Sequence, residues 1–134
     1  MSTLNVNTVQ SSTSNPPIFK NSGGDVAGTL ARAWVNFNGV GTVAIRDSFN
    51  VSSITDNGTG DYTINFTTPM SNSNYSVVSN SQYDQTSATT GAAVWSCIAR
   101  YPTAISTTGV RLITQYNNGI LFDVTTLSAA IFSN

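Results

Sequence analysis

The sequence predicts an all-β protein, an antiparallel β-sandwich or small barrel preceded by an extended N-terminal arm. Three observations support this fold class. Apolar and polar side chains alternate along short segments, which is the period of a strand. Glycines and turn dipeptides separate these segments at near-regular spacing, as in sandwiches and barrels. No window of helical length carries a clean apolar stripe with a period of 3.6 residues.

Residues 1–30 differ from the rest of the chain and are predicted to form an anchoring arm. They combine a short alternating segment, a Ser-rich stretch, the adjacent prolines Pro16 and Pro17, and a glycine break. Adjacent prolines favour an extended path, and Ser-rich and Gly-rich flanks loosen it. The alternative is a disordered tail, but apolar side chains along the segment indicate docking on another surface. The candidate anchoring residues are Leu4, Val6, Ile18 and Phe19.

Residues 31–134 carry the strand pattern and are predicted to form the β-sandwich, the head of the molecule. The first strand alternates from Ala31 to Phe37 and ends in a glycine turn at residues 39–41. Short apolar pairs indicate further strands at residues 43–45 and 49–51. The clearest strand has Tyr62, Ile64 and Phe66 on one face and small polar residues on the other.

The second half of the sandwich is predicted from five more segments. Short strands are expected near residue 75 and over residues 92–100. Residues 110–116 alternate up to Asn117-Asn118-Gly119, which is a hairpin signal. Ile120, Phe122 and Val124 are expected to pair back as the return strand, and residues 127–132 are expected to close the chain.

Two of these segments, residues 92–100 and 128–132, are apolar on both faces. Antiparallel sheets seldom need this in a monomer, so the second face is expected to meet a neighbouring subunit. The alternative is a central sandwich strand covered by a loop. Trp34 lies on a polar face, where an aromatic side chain is either an interface anchor or a ligand platform. The candidate interface residues are Trp34, Trp95 and Phe132.

The composition excludes several classes of partner. Only 8% of residues are charged, and Ser, Thr and Asn make up more than a third of the chain. Such a surface is typical of a rigid structural or extracellular protein. The five cations lie far apart, whereas binding to nucleic acid needs clustered Lys or Arg. No apolar run reaches the roughly 18 residues of a membrane helix, so no membrane insertion is expected.

The start of the chain and its single cysteine, Cys97, bear on its location. No Sec signal is visible at the N-terminus, and one cysteine excludes an intrachain disulfide or a cysteine-built zinc site. An extracellular type of surface without an export signal fits a virion protein made in the host cytoplasm and released by lysis.

Catalytic residues are scarce, and no enzymatic activity or cofactor is predicted. The chain has no His, which excludes triads of the Ser-His-Asp and Cys-His types. All six acids are Asp, so the pair of placed carboxylates that glycoside hydrolysis needs is possible but has no further support. Phosphate-binding and dinucleotide-binding motifs are absent.

Two polar segments are candidate binding loops. The tip Asp56–Asp61 invites a calcium interpretation, but its spacing does not match an EF-hand loop, and Asn57-Gly58 is a turn dipeptide. A tight turn is therefore predicted there, and no metal. Tyr83, Asp84 and Gln85 lie in a polar loop and combine an aromatic ring with short polar groups, the usual chemistry for binding sugars. They form the candidate receptor-facing loop; a solvated loop is the alternative.

Three runs of sequence resemble one known family. They are ARAWVNFNG at residues 31–39, GTVAIR at 41–46 and SFNVSSITDNGTGDYTINF at 48–66. Together they closely resemble a module of tail-fibre proteins of tailed bacteriophages, especially those of marine and cyanobacterial hosts. STLNVNTVQ at residues 2–10 is similar to the start of such proteins. Beyond residue 72 only the strand pattern is similar.

The resemblance implies a virion structural protein, the tail fibre, that is commonly a homotrimer. One end would attach to tail or baseplate proteins, and the other would bind a host cell-surface glycan or protein receptor during adsorption. The resemblance implies no catalytic residues. The chain is short for such a fibre, so a tail adaptor or capsid-decoration protein without receptor contact, or a carbohydrate-binding module, is the alternative.

Overall fold

The computed structural model describes residues 6, 8–10, 17–82, 94–99 and 103–133. No helix occurs among these residues, and none is therefore present that could cross a membrane. This confirms the all-β prediction. Eleven strands are present in the described part of the chain: β1 (Ile18–Lys20), β2 (Val26–Thr29), β3 (Ala33–Asn38), β4 (Ala44–Phe49), β5 (Val51–Gly58), β6 (Asp61–Phe66), β7 (Ser76–Gln82), β8 (Val94–Ile98), β9 (Ile105–Ser106), β10 (Gly109–Tyr116) and β11 (Thr126–Phe132).

The chain divides into two compact units, Met1–Leu30 and Ala31–Asn134. In the first unit, β1 and β2 pair as an antiparallel hairpin, which the prediction of an extended arm did not include. The side chain of Asn21 holds its turn, because its Oδ1 accepts hydrogen bonds from the backbone N–H groups of Gly23 and Asp25, both at 2.9 Å. The anchoring role of this unit stays a prediction.

The second unit contains two antiparallel sheets. Sheet I has the strand order β5-β6-β10-β8, with β9 also paired to β10, and sheet II has the order β4-β3-β11-β7. In the described residues the two sheets have separate edges and do not close into a barrel, so the sandwich alternative is the one observed. β11 is a central strand of sheet II, whereas β8 lies at the edge of sheet I.

The core lies between the two sheets. The ring of Phe37 on sheet II packs edge-on against Tyr62 on sheet I, with the ring centroids 5.3 Å apart. The predicted alternation is confirmed, since Tyr62, Ile64 and Phe66 all point inward while Thr63 and Asn65 face outward. The other large side chains that are fully buried come from both sheets and the segment before β11: Val35, Val110, Leu112, Thr114, Val124, Leu127 and Ile131.

One residue, Asn50, carries the chain from sheet II to sheet I. It separates β4 from β5 and has a φ of 55°, a left-handed conformation that Asn tolerates better than most residues. Its amide nitrogen donates to the carbonyl oxygens of Arg32 (3.0 Å) and Thr68 (3.1 Å), and its Oδ1 accepts from the Thr68 N–H (2.7 Å). The sequence pattern predicted one short strand over residues 49–51; in the structure β4 ends at Phe49 and β5 begins at Val51 in the other sheet.

The predicted return strand after residues 117–119 is wrong in extent. The turn is present, but residues 120–124 pair with β10 only through an isolated bridge between Gln115 and Leu121. The reason is competition for one edge of β10. β6 holds that edge as far as Ile113, and the Gly60 carbonyl oxygen accepts from the Thr114 N–H. The return segment can therefore pair with β10 only around Gln115, beyond the residues that β6 and Gly60 already occupy.

The hydroxyl of Tyr62 joins three parts of the fold. It lies 2.8 Å from Asp123 Oδ1 and 3.1 Å from the carbonyl oxygen of Gly39. Burial, and then the hydrogen bond and negative charge of Asp123, raise the pKa of Tyr62 well above its ordinary value of 10.0. Both neighbours are acceptors, so the hydroxyl must stay protonated to connect them.

This raised pKa predicts a loss of stability in alkali. Because the pKa of Tyr62 is higher in the folded than in the unfolded state, its protonated hydroxyl contributes fully to stability below about pH 10. This contribution is lost as the pH rises through the pKa of the folded state. We therefore expect the free energy of unfolding, measured with urea, to fall steeply above about pH 10. Tyr62→Phe should be less stable at pH 7 and should show a shallower fall. An equal slope in the two proteins would contradict the assignment.

Candidate ligand-binding face

The outer face of sheet II carries a row of exposed apolar side chains across all four strands. The strand register aligns Phe49, Trp34, Ala130 and Val78, one residue from each of β4, β3, β11 and β7. We call them the apolar row. Trp34 is 37%, Phe49 53% and Val78 63% exposed. Exposed aromatic and aliphatic groups gathered in one place mark a site of interaction more often than scattered ones do.

A row of polar residues lies beside the apolar row. It consists of Asp47, Asn36, Ser128 and Asn80, again one from each strand, and we call it the polar row. The two rows are two residues apart along each strand, which is about 7 Å. Asp47 at the sheet edge accepts a hydrogen bond from the Ser48 N–H at 2.8 Å. The other three members offer amide and hydroxyl groups without net charge.

The members of the two rows on β3, β11 and β7 line a shallow groove of about 440 Å³. Ala130 is small and lies between Trp34 and Val78, so the middle of the apolar row is lower than its two sides. The groove is lined mainly by Trp34, Asn36, Val78, Asn80, Ser128 and Ala130. An aromatic side chain with a few convergent polar groups is the usual composition of a site for a small organic ligand.

Arg46 orients the polar row. The register of β3 and β4 shifts between Asn36 and Phe37, so that Arg46 is an extra residue in β4. Its guanidinium donates to the Asn36 Oδ1 at 3.3 Å, to Thr126 Oγ1 at 3.4 Å and to the carbonyl oxygen of Thr125. The Asn36 amide nitrogen in turn donates to Ser128 Oγ at 2.7 Å. These bonds fix the direction of the Asn36 amide.

The outer face of sheet I carries a second exposed tryptophan, Trp95, which is 59% exposed. Cys97 and Ile113 are cross-strand partners on this face and are half-buried. Burial raises the pKa of the Cys97 thiol, which disfavours the reactive thiolate. The face is therefore apolar at this end, and its cysteine is not activated as a nucleophile.

The Asp56–Asp61 segment contains the hairpin turn between β5 and β6, as predicted, but the turn itself is residues 59–60, and Asp56–Gly58 is the bulged end of β5. Asp56 Oδ1 accepts from the Gly58 N–H at 2.9 Å, the arrangement of an Asx turn. Asp61 binds Arg111 through two bonds, Nε to Oδ1 at 2.7 Å and Nη2 to Oδ2 at 2.6 Å. Among the described residues, no three potential metal-ligating acids, cysteines or histidines lie together.

The residues predicted from the sequence fall in different places. Trp34 and Phe132 lie on the outer face of sheet II, and Trp95 lies on the opposite side of the sandwich. Phe132 is 36% exposed. Their role as a subunit interface stays a prediction. Of the candidate anchoring residues, Val6 and Phe19 are exposed and Ile18 begins β1, while Leu4 lies outside the described residues together with the loop candidates Tyr83, Asp84 and Gln85.

The polar partners of Trp34 were not predicted. Asn36 could have been inferred, because it lies two residues from Trp34 on the same strand and so shares its face. Ser128 is 92 residues from Asn36 in the sequence, and only the pairing of β3 with β11 brings them together.

Comparisons with known proteins identify a shared fold. No family model matches the chain, and no curated protein matches its sequence. One solved structure is similar: the phiAB6 phage tailspike, in complex with three-repeated oligosaccharides of Acinetobacter baumannii surface polysaccharide. The identity is 16% and the TM-score 0.51, over 97% of this chain. The chain spans 30% of the length of that tailspike chain, so this β-rich fold also occurs as part of a phage tail protein.

Proposed function

We propose that the protein is a tail-associated structural protein of a bacteriophage, a tail fibre that binds the host surface during adsorption. The observation that carries the proposal is the outer face of sheet II, where the apolar and polar rows form an open groove beside Trp34. The tail-fibre resemblance of residues 31–66 supports it, and so does the shared fold with a phage tailspike. That neighbour was solved with oligosaccharides of a bacterial surface polysaccharide, which supports a glycan receptor.

The proposal includes a cyclic homotrimer with the first unit attached to the tail or baseplate. The exposed Trp95, together with Cys97 and Ile113, is the subunit surface that leaves the groove of sheet II accessible. We further propose that the protein is structural and not catalytic. In support, Asp61 is ion-paired with Arg111, and Asp123 is engaged with the Gly60 N–H (2.7 Å) and Tyr62, so neither carboxylate is available for acid–base chemistry.

Three measurements test this function. Cryo-electron microscopy of the virion should place the chain at the distal tail. Excess purified protein should slow adsorption of the phage to its host. Light scattering should give three times the 14.1 kDa mass of the chain. A position on the capsid or within the baseplate, without competition for adsorption, would instead indicate the decoration or adaptor role. A stable monomer at micromolar concentration would contradict the trimer.

A further inference from the structure

We propose that the groove on sheet II binds a sugar ring of an oligosaccharide, with Trp34 as the stacking platform and the Ser128 hydroxyl as a hydrogen-bond donor. This inference rests on the proposed function and assigns the residues and ligand class of its binding face. It selects the ligand-platform alternative for Trp34 over the interface alternative.

The position and exposure of Trp34 suit its indole to be the stacking platform. Trp34 lies on β3, an inner strand of sheet II, and 37% of its surface is exposed. Its strand neighbours Ala33 and Val35 point to the opposite face and are buried in the core. Its cross-strand partners are Phe49 on one side and the small Ala130 on the other. The indole therefore borders the groove floor at Ala130. A pyranose ring has an apolar C–H face, which fits an aromatic surface of this kind.

The direction of the hydrogen bonds from Arg46 through Asn36 to Ser128 makes the Ser128 hydroxyl a donor. The Arg46 guanidinium can only donate, so Asn36 Oδ1 must accept from it. The Asn36 amide nitrogen must then donate, and Ser128 Oγ accepts at 2.7 Å. Since Ser128 Oγ is the acceptor in this bond, its own proton remains free to donate outward. A chain that begins at a cation polarises each following bond, which strengthens the terminal donor.

The rest of the polar row adds to the same chemistry. The Asn80 side chain is exposed beside Ser128 in the register and makes no hydrogen bond with another described residue. It offers two donors and one acceptor to a ligand. A ring stacked at Trp34 has its hydroxyl groups above a polar row that begins about 7 Å along the strands. The groove lining combines aromatic, hydroxyl and amide groups and includes no charged side chain, which matches a saccharide better than an anion or an apolar peptide.

The probe for the test is a set of oligosaccharides of about three repeats, released from purified surface polysaccharide of the phage's host. Binding is measured by titration calorimetry and by tryptophan fluorescence in a Trp95→Phe background, where Trp34 is the single tryptophan. We expect Trp34 emission to change on binding. Trp34→Ala should weaken binding at least about tenfold and Ser128→Ala about fivefold, the effects of losing one stacked ring and one hydrogen bond.

Matched variants separate binding from folding. Ile120→Ala removes an exposed apolar side chain outside both the groove and the proposed subunit surface, and it should bind as the wild type does. Ser128→Thr keeps a hydroxyl and should retain most of the affinity, and Trp34→Phe keeps an aromatic ring and should retain part of it. Thermal unfolding of each variant shows whether a loss of binding reflects a loss of structure.

Two outcomes would overturn the inference while leaving the proposed function intact. One is wild-type protein that binds intact host cells but none of the released oligosaccharides, which would indicate a protein receptor. Another is unchanged binding by Trp34→Ala and Ser128→Ala. Conversion of the trimer to monomers by Trp34→Ala would make this face a subunit interface, and it would overturn both the inference and the receptor-binding role proposed for the groove. Wild-type protein that binds neither cells nor oligosaccharides would overturn both proposals.

Discussion

Gly60→Ala is expected to destabilise the protein by about 3–5 kcal/mol, the sum of a left-handed backbone penalty and a steric clash. Gly60 has a φ of +64° and lies at the end of the β5–β6 turn. A Cβ atom there would lie 2.5 Å from the Phe122 nitrogen and 2.6 Å from the Thr114 carbonyl oxygen. These are backbone atoms and cannot rotate away. Urea unfolding monitored by circular dichroism measures the effect.

Gly41→Ala is the matched control for this prediction. Gly41 has nearly the same φ, +68°, but a Cβ atom there would have nothing within 4 Å. Its substitution should therefore cost only the backbone penalty of about 1–2 kcal/mol. The difference between the two variants isolates the close approach of the β5–β6 turn to the segment that contains Phe122. Equal losses of stability would mean that this close approach does not hold the turn in place.

Arg111→Met is expected to destabilise the protein by about 2–3 kcal/mol, because it leaves the Asp61 carboxylate without its ionic partner. The Asp61 side chain is 8% exposed and that of Arg111 is 29% exposed. The cost is set below that of a fully buried pair because water reaches the guanidinium. The pair joins β6 to β10, so the free energy of unfolding measured in urea should report it directly.

Two further variants define the origin of this effect. Asp61→Asn combined with Arg111→Met removes the carboxylate charge, which without Arg111 would keep only the Asn57 amide bond at 3.3 Å, and should recover part of the lost stability. Arg46→Met removes an exposed guanidinium that has no carboxylate partner among the described residues and should cost less than about 1 kcal/mol. If the double variant were no more stable than Arg111→Met alone, the burial of an unpartnered charge would not be the cause.

Short-range patterns in the sequence were sufficient to predict most strands of the second unit, but not the hairpin of β1 and β2 or the short strand β9. The alternation of Tyr62, Ile64 and Phe66 identifies an inward face, because successive residues of a strand point to opposite sides. The turns at residues 58–60 and 117–119 are also predictable, since glycine tolerates a positive φ in turns, and the glycines there do have positive φ. The return strand after Gly119 was predicted too long because its apolar pattern gives no information on which edge of β10 is already occupied.

Of the candidate site, the sequence predicted Trp34 but not the residues that surround it. Trp34 stands out because its position in the alternation puts it on a polar face. The sequence cannot show that Phe49, Ala130 and Val78 align with it, since this requires the strand order β4-β3-β11-β7. The direction of the hydrogen bonds from Arg46 through Asn36 to Ser128 depends on the same pairing and on the extra residue in β4.

The sequence by itself determined the class of fold, the inward faces of the strands and the tight turns, because these depend on the period of side chains and on local backbone conformation. It also supplied the tail-fibre resemblance. Only the tertiary structure decided which strands are neighbours, where Asn50 carries the chain between sheets, and which exposed side chains share a face with Trp34. These features depend on contacts between residues distant in sequence, and short-range patterns do not encode the register of such pairings.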